Sequence, residues 1–140
     1  MKTTIFSTAL LAITLTVSTN LFAQTKLEVT VKNIKETTGT VRVGLFTNEK
    51  DFLKTAQEGK IVKATAEEIT VVFENLKTGD YAISVIHDKN ENGELDTNFV
   101  GIPNEPYGFS NNVMGTFGPP SFEKAKISIP ATKTTVINLR

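Results

Sequence analysis

Ten consecutive residues concentrate the chemistry of this sequence: His87-Asp88-Lys89-Asn90-Glu91-Asn92-Gly93-Glu94-Leu95-Asp96. Counted from Asp88, side-chain oxygens fall at positions one, three, five and nine, which are Asp88, Asn90, Asn92 and Asp96. Gly93 holds position six and Glu94 position seven. Calcium takes roughly six to eight oxygen ligands, and an EF-hand loop supplies them at this spacing. Its glycine makes the sharp turn, and position seven gives a main-chain carbonyl. The pattern predicts a calcium loop built from Asp88, Asn90, Asn92 and Asp96, with Glu94 giving its carbonyl. Charge points the same way, since Asp88, Glu91, Glu94 and Asp96 against Lys89 leave −3. With only two carboxylates in register, the expected affinity is weak, at roughly 10⁻⁴–10⁻³ M.

The loop departs from an EF-hand at position twelve, where a bidentate Glu is expected and Phe99 stands. No helical pattern flanks it. A remaining ligand would come from Thr97, Asn98, Glu105, Asn111 or water. The alternative reading is a series of turns, in which Asp and Asn side chains bond nearby backbone N–H groups.

Catalytic chemistry finds less support. His87 is the only histidine and there is no cysteine, which excludes thiol catalysis, disulfides and thiolate metal sites. Gly108-Phe109-Ser110-Asn111-Asn112 lacks the final glycine of a nucleophile elbow. A structural role is expected for His87, bonding a loop carbonyl, and no catalytic residue is assigned. The competing class is a small hydrolase acting on an envelope or extracellular carbohydrate, with carboxylates such as Asp88, Asp96 or Glu105 as acid and base.

The elements that must hold this loop follow a period of two. Leu27, Val29 and Val31 alternate with polar residues, as do Val41, Val43 and Leu45. With the turn cluster Glu36-Thr37-Thr38-Gly39 between them, they predict a β-hairpin. Asn48 caps an expected short helix near 49–56, with Phe52, Leu53 and Ala56 on one face. Further strands are expected around Lys60–Thr65, Ile69–Phe73, Tyr81–His87, Ile127–Ile129 and Thr135–Leu139. About seven short strands separated by turns predict an all-β, antiparallel two-sheet sandwich, immunoglobulin-like or transthyretin-like. Tyr81 is expected as a corner residue with its hydroxyl on the backbone.

Asp88 to Ser121 shows no alternation over 34 residues. Loops beyond about 12–15 residues without structure of their own are uncommon and usually functional or disordered. The apolar surface of Phe99, Ile102, Tyr107, Phe109, Val113, Met114, Phe117 and Phe122 is too much for a free tail and predicts order, with the stretch pinned to the sandwich. The aromatics either cover an open end of the sandwich or line a ligand surface of Tyr107, Phe109, Asn111 and Phe117.

The first 23 residues read as a signal peptide. Lys2 gives the positive start, Ile5 to Val17 the apolar run, and Leu21-Phe22-Ala23 the cleavage site. Residues 24–140 are then one exported domain, periplasmic or extracellular, with no membrane span in its mature form. Removing 23 of 140 residues leaves 117, with 14 basic and 15 acidic groups. A chain with no basic stripe is a poor partner for nucleic acid. An envelope or extracellular ligand is the expected partner.

Three motifs together resemble one known family. They are His87-Asp88-x-Asn90-x-Asn92-Gly93-x-Leu95-Asp96, then Gly101-Ile102-Pro103-x-Glu105-x-Tyr107-Gly108-Phe109-Ser110-Asn111, then Phe117-Gly118-Pro119-Pro120-x-Phe122. The resemblance is to the bacterial exported family called domain of unknown function 2141. It covers nearly all of Gln24 to Arg140 and implies a small exported β-sandwich of Gram-negative bacteria, with no activity assigned. Leu76-x-x-Gly79-x-Tyr81 also resembles the strand-turn-strand of transthyretin-like and carboxypeptidase-regulatory-like domains.

Overall fold

A computed structural model describes residues 25–140, and the expected signal peptide lies outside the described residues. Alternating side chains build two sheets. β1 (Thr25–Lys32) buries every second residue, including Leu27, Val29 and Val31. β2 (Thr40–Phe46) does the same with Val41, Val43 and Leu45. β3 (Glu58–Lys63), β4 (Glu68–Leu76), β5 (Gly79–Asp88), β6 (Tyr107–Phe109), β7 (Ile127–Ile129) and β8 (Lys133–Asn138) complete the set. One sheet runs β4-β1-β8, and the other runs β3-β2-β5-β6, with β7 on the first residues of β5. Their apolar faces meet in a core that includes Leu27, Phe73, Leu45, Ile83 and Ile137. Each such side chain, fully buried, contributes roughly 1.5–3 kcal/mol relative to exposure. The expected all-β sandwich is what forms.

Three expectations change in detail. β1 and β2 do not form a hairpin. β1 pairs with β4 and β8, while β2 pairs with β3 and β5, so the chain crosses between sheets after Lys32. The sheets are not wholly antiparallel either, because β1 and β8 run parallel from Leu27↔Lys133 to Lys32↔Asn138. The helix expected near 49–56 is only a turn. Asn48 Oδ1 does accept the Asp51 N–H at 3.0 Å, but Leu53 takes φ 60, which stops helical propagation. The one α-helical turn among the described residues, α1 (Phe122–Ala125), lies elsewhere and is capped by Ser121.

A second apolar cluster covers the other face of the β3-β2-β5-β6 sheet. Phe46 and Ala82 point away from Leu45 and Ile83, as strand alternation demands. Phe52, Phe109, Phe122 and Ala125 pack on them. Tyr81 donates its hydroxyl to the Lys77 carbonyl at 2.8 Å, closing the corner the sequence suggested. No helix among the described residues is long and apolar enough to cross a membrane.

The segment from Asp88 to Ser121 is ordered but not structureless. It contributes β6, a 3-10 turn at Ser110–Asn112, and a bridge between Thr97 and Pro103. β6 ties the sheets together: Tyr107 N–H donates to Arg140 O at 3.3 Å, and Arg140 N–H returns to Tyr107 O at 3.0 Å.

Candidate functional site

The acidic loop hangs from the end of β5. Asp88 is its anchor and is completely buried. Asp88 Oδ1 accepts the Asn92 N–H at 3.1 Å, and Oδ2 accepts the Gly93 N–H at 2.8 Å. Arg42, on the neighbouring strand β2, brings Nη1 to 3.6 Å from Oδ2. A buried carboxylate is tolerated when such donors and a counter-charge replace water. The approach of β2 to this point needs Gly39: at φ +69, a Cβ there would overlap the Asp88 carbonyl oxygen.

The other expected ligands gather around Asp96. Asn90 Nδ2 donates to Asp96 Oδ2 at 2.6 Å, and Asn92 Nδ2 donates to Asp96 Oδ1 at 2.7 Å. The amide oxygens serve the backbone: Asn90 Oδ1 accepts the Asn92 N–H at 3.1 Å, and Asn92 Oδ1 accepts the Glu94 N–H at 2.9 Å. The Glu94 side chain is exposed. Asn90, Asn92 and Asp96 are thus bonded to one another through their side chains, while Asp88 holds the loop through the Asn92 and Gly93 amides.

Glu105 clamps this loop from behind. It is buried, with Oε1 accepting the Lys89 N–H at 2.7 Å and Oε2 accepting the Asp96 N–H at 3.1 Å. Asn104 N–H donates to the Asp96 carbonyl at 2.8 Å. The loop's acidity is offset from outside by Arg42, which faces Asp88, and by Lys63, which pairs with Glu91, whereas the loop's own Lys89 reaches away to Glu36. The Lys89 ammonium donates to the Glu36 carboxylate and holds its pKa below the usual value. Reading along the chain counted Lys89 but missed Arg42 and Lys63, which lie 46 and 25 residues before Asp88 and reach the loop only through sheet pairing.

His87 has the structural position expected of it. It is fully buried, and its Nε2 lies 2.8 Å from the Thr38 carbonyl oxygen. A carbonyl only accepts, so Nε2 carries the proton. Nδ1 has no hydrogen-bond partner among the described residues.

The oxygen-bearing side chains of Asp88, Asn90, Asn92 and Asp96 are of the type a calcium ion takes, but their arrangement sets a condition. Among the described residues no group of three or more His, Asp and Glu side chains gathers as a metal cluster. A cation at this loop would therefore depend on the amide oxygens of Asn90 and Asn92 beside Asp88 and Asp96. Those amides now point nitrogen at Asp96, so they would have to turn.

The expected ligand surface is divided. Phe109 is buried, against Phe52 at 6.4 Å between ring centroids, and Tyr107 stacks edge-on to Phe109 at 5.8 Å. Asn111 Nδ2 donates to the carbonyls of Lys124 and Lys126 at 3.1 and 2.9 Å, which positions the chain rather than a ligand. Of the four, Phe117 and Asn111 are exposed, and of these Asn111 is tied down by its two bonds. Phe99 and Ile102, in the stretch expected to be pinned to the sandwich, are exposed as well.

The family model described as "Uncharacterized protein conserved in bacteria (DUF2141)" matches residues 29–138. No curated protein and no solved structure matches the chain.

Proposed function

We propose, for a chain that belongs to the DUF2141 family, a non-catalytic sandwich module of the exported space whose Asp88–Asp96 loop is steadied by a calcium ion. The observation that supports this reading is the gathering of Asn90, Asn92 and Asp96 on one loop, with Asp88 and Asn90 both accepting the Asn92 amide. The two asparagine amides supply the positive ends that Asp96 requires. A calcium ion would replace those N–H groups, with Asp88 and Asp96 supplying charge and Asn90, Asn92 and the Glu94 carbonyl supplying neutral oxygens. Arg42 already faces Asp88, which supports weak rather than tight binding.

The hydrolase alternative needs a carboxyl free to move a proton. Asp88, Asp96 and Glu105 each accept hydrogen bonds on both oxygens. That favours architecture over acid–base work.

The experiment is thermal unfolding of the full chain with calcium and with a chelator, beside an Asp96→Ala variant. Asp96 is only part-buried, so that variant is expected to fold. Saturation to about 100 times Kd adds roughly 2.7 kcal/mol. A calcium-dependent rise in the midpoint, lost in Asp96→Ala, is the expected result. An unchanged midpoint at about 100 mM calcium, roughly 100 times the weakest expected Kd, would leave the loop as a self-bonded turn.

A further inference from the structure

The turn from Asn98 to Ile102 carries three apolar side chains into solvent. Phe99 is 99% exposed, Val100 61% and Ile102 59%. Single exposed apolar residues are ordinary on a protein surface, but a contiguous group marks an interaction site. The turn is held firmly. Asn98 N–H donates to Ile102 O at 2.8 Å, and Gly101 N–H to Asn98 O at 2.9 Å. Asn98 Oδ1 accepts from the N–H groups of Val100 and Ile102, both at 3.0 Å. Thr97 and Pro103 bridge beneath it.

Four of the five amide hydrogens from Asn98 to Ile102 are therefore bonded within the turn. Such amides surrender no water when they enter an apolar medium, while the carbonyls of Phe99, Val100 and Gly101, unbonded among the described residues, keep the tip at the wetted interface rather than in the hydrocarbon. No charged residue lies between Thr97 and Asn104. The carboxylates at the base are turned inward: Asp96 is bonded to Asn90 and Asn92, and Glu105 to backbone amides.

We propose that this tip inserts into the interface of a neutral phospholipid bilayer, with Phe99, Val100 and Ile102 as the inserting side chains. A lipid occupant fits better than a protein one on area. A fully buried Phe contributes about 150–250 Å², so the tip offers on the order of 400 Å², short of the about 800 Å² per partner in a standard protein interface. A bilayer needs no matching surface. With no basic residue on the tip, binding carries neither a preference for anionic lipid nor a salt dependence. The inference uses residues outside the Asp88–Asp96 set and stands apart from any cation there.

The chain has no tryptophan, so Phe99→Trp in the full chain gives one local reporter, and Phe117→Trp controls for vesicle binding through the apolar run near the N-terminus. Phosphatidylcholine vesicles should shift its emission to the blue, and brominated acyl chains should quench it, equally at low and high salt. Adding Val100→Ser and Ile102→Ser to the same reporter should abolish the shift. Phe117→Trp, on a different turn, should not respond. Unshifted emission from the Phe99→Trp variant at millimolar lipid would overturn the proposal. So would an equally large response from the Phe117→Trp variant, a shift confined to phosphatidylglycerol vesicles and lost in salt, or a concentration-dependent shift without vesicles, which would make the occupant a second copy of the chain.

Discussion

Arg42 and Asp88 face each other across the pairing of β2 with β5, Nη1 to Oδ2 at 3.6 Å, at the point where β5 gives way to the acidic loop. Asp88 is sealed from solvent, while the Arg42 side chain is about a third exposed. The carboxylate is thus fixed chiefly by the Asn92 and Gly93 amides, and the guanidinium balances its charge from the rim.

That asymmetry sets the first prediction. Asp88→Ala removes the acceptor for two amides of the loop and leaves them unsatisfied, which should cost about 3 kcal/mol. Arg42→Gln weakens a longer, partly solvated pair and should cost about 1 kcal/mol. Urea unfolding of both variants checks the ratio. Equal costs would mean that the ion pair, not the amide bonds, holds the loop.

Two phenylalanines outside the strands should behave oppositely. Phe52 is buried edge-on to Phe46 and Phe122, with centroids at 5.3 and 5.9 Å. Phe52→Ala should cost about 3–5 kcal/mol. Phe117 is fully exposed, and Phe117→Ser should fall within about 0.5 kcal/mol of wild type. Denaturant midpoints decide between them. A large loss at Phe117 would place that ring in a contact the free chain makes.

Composition does not say which rings of the Asp88–Ser121 stretch face inward, for a physical reason. Alternation identified Leu27, Val43, Phe73 and Ile83 because a strand of period two has only two faces, and one must be buried. The acidic loop was legible as a run of turns, since Asp and Asn side chains bond nearby backbone N–H groups. In the irregular stretches no period says which way a ring points, so Phe109 and Phe99 look alike in the sequence and differ by almost full exposure. Partners were harder still. The hairpin expectation for β1 and β2 failed because nearness in sequence was taken for pairing, whereas β1 finds its neighbours in β4 and β8. The Leu53 backbone at φ 60 had no signal in a window that otherwise read as helix.

Acid should act on the pairing of β5 with β7. Asp80 and Ser128 are cross-strand partners, and the Ser128 hydroxyl donates to Asp80 Oδ1. That bond, with Lys126 at 3.5 Å, holds the Asp80 carboxyl below its ordinary value of 3.8. A depressed carboxyl adds stability that is present above its unfolded pKa, at about pH 4. The contribution fades as pH falls through the folded value. Ser128→Ala should move the Asp80 titration, followed by its carboxyl carbon resonance, back up toward the ordinary value. No movement would assign the depression to Lys126. The same lysine is raised mainly by its hydrogen bond to Glu123, so Glu123→Gln should lower the Lys126 midpoint.

The last prediction concerns the outer edge of β8. Asn112 lies beside it and acts as a stand-in for a strand: its Nδ2 donates to Val136 O at 3.0 Å, and its Oδ1 accepts the Asn138 N–H at 2.8 Å. An uncovered edge offers those same groups to another chain. Asn112 also sits at φ 52, a region asparagine tolerates better than most residues. Two substitutions separate the roles. Asn112→Gly relieves the backbone and removes the side chain, so its cost is that of the edge bonds, about 1–2 kcal/mol. Asn112→Ala loses the same bonds and adds roughly 1 kcal/mol for the left-handed backbone. Both should expose the Asn138 amide to faster hydrogen exchange and raise the tendency to associate, measured by light scattering on warming. If Asn112→Gly is as stable as wild type and its Asn138 amide stays protected, the edge is covered by something other than this side chain.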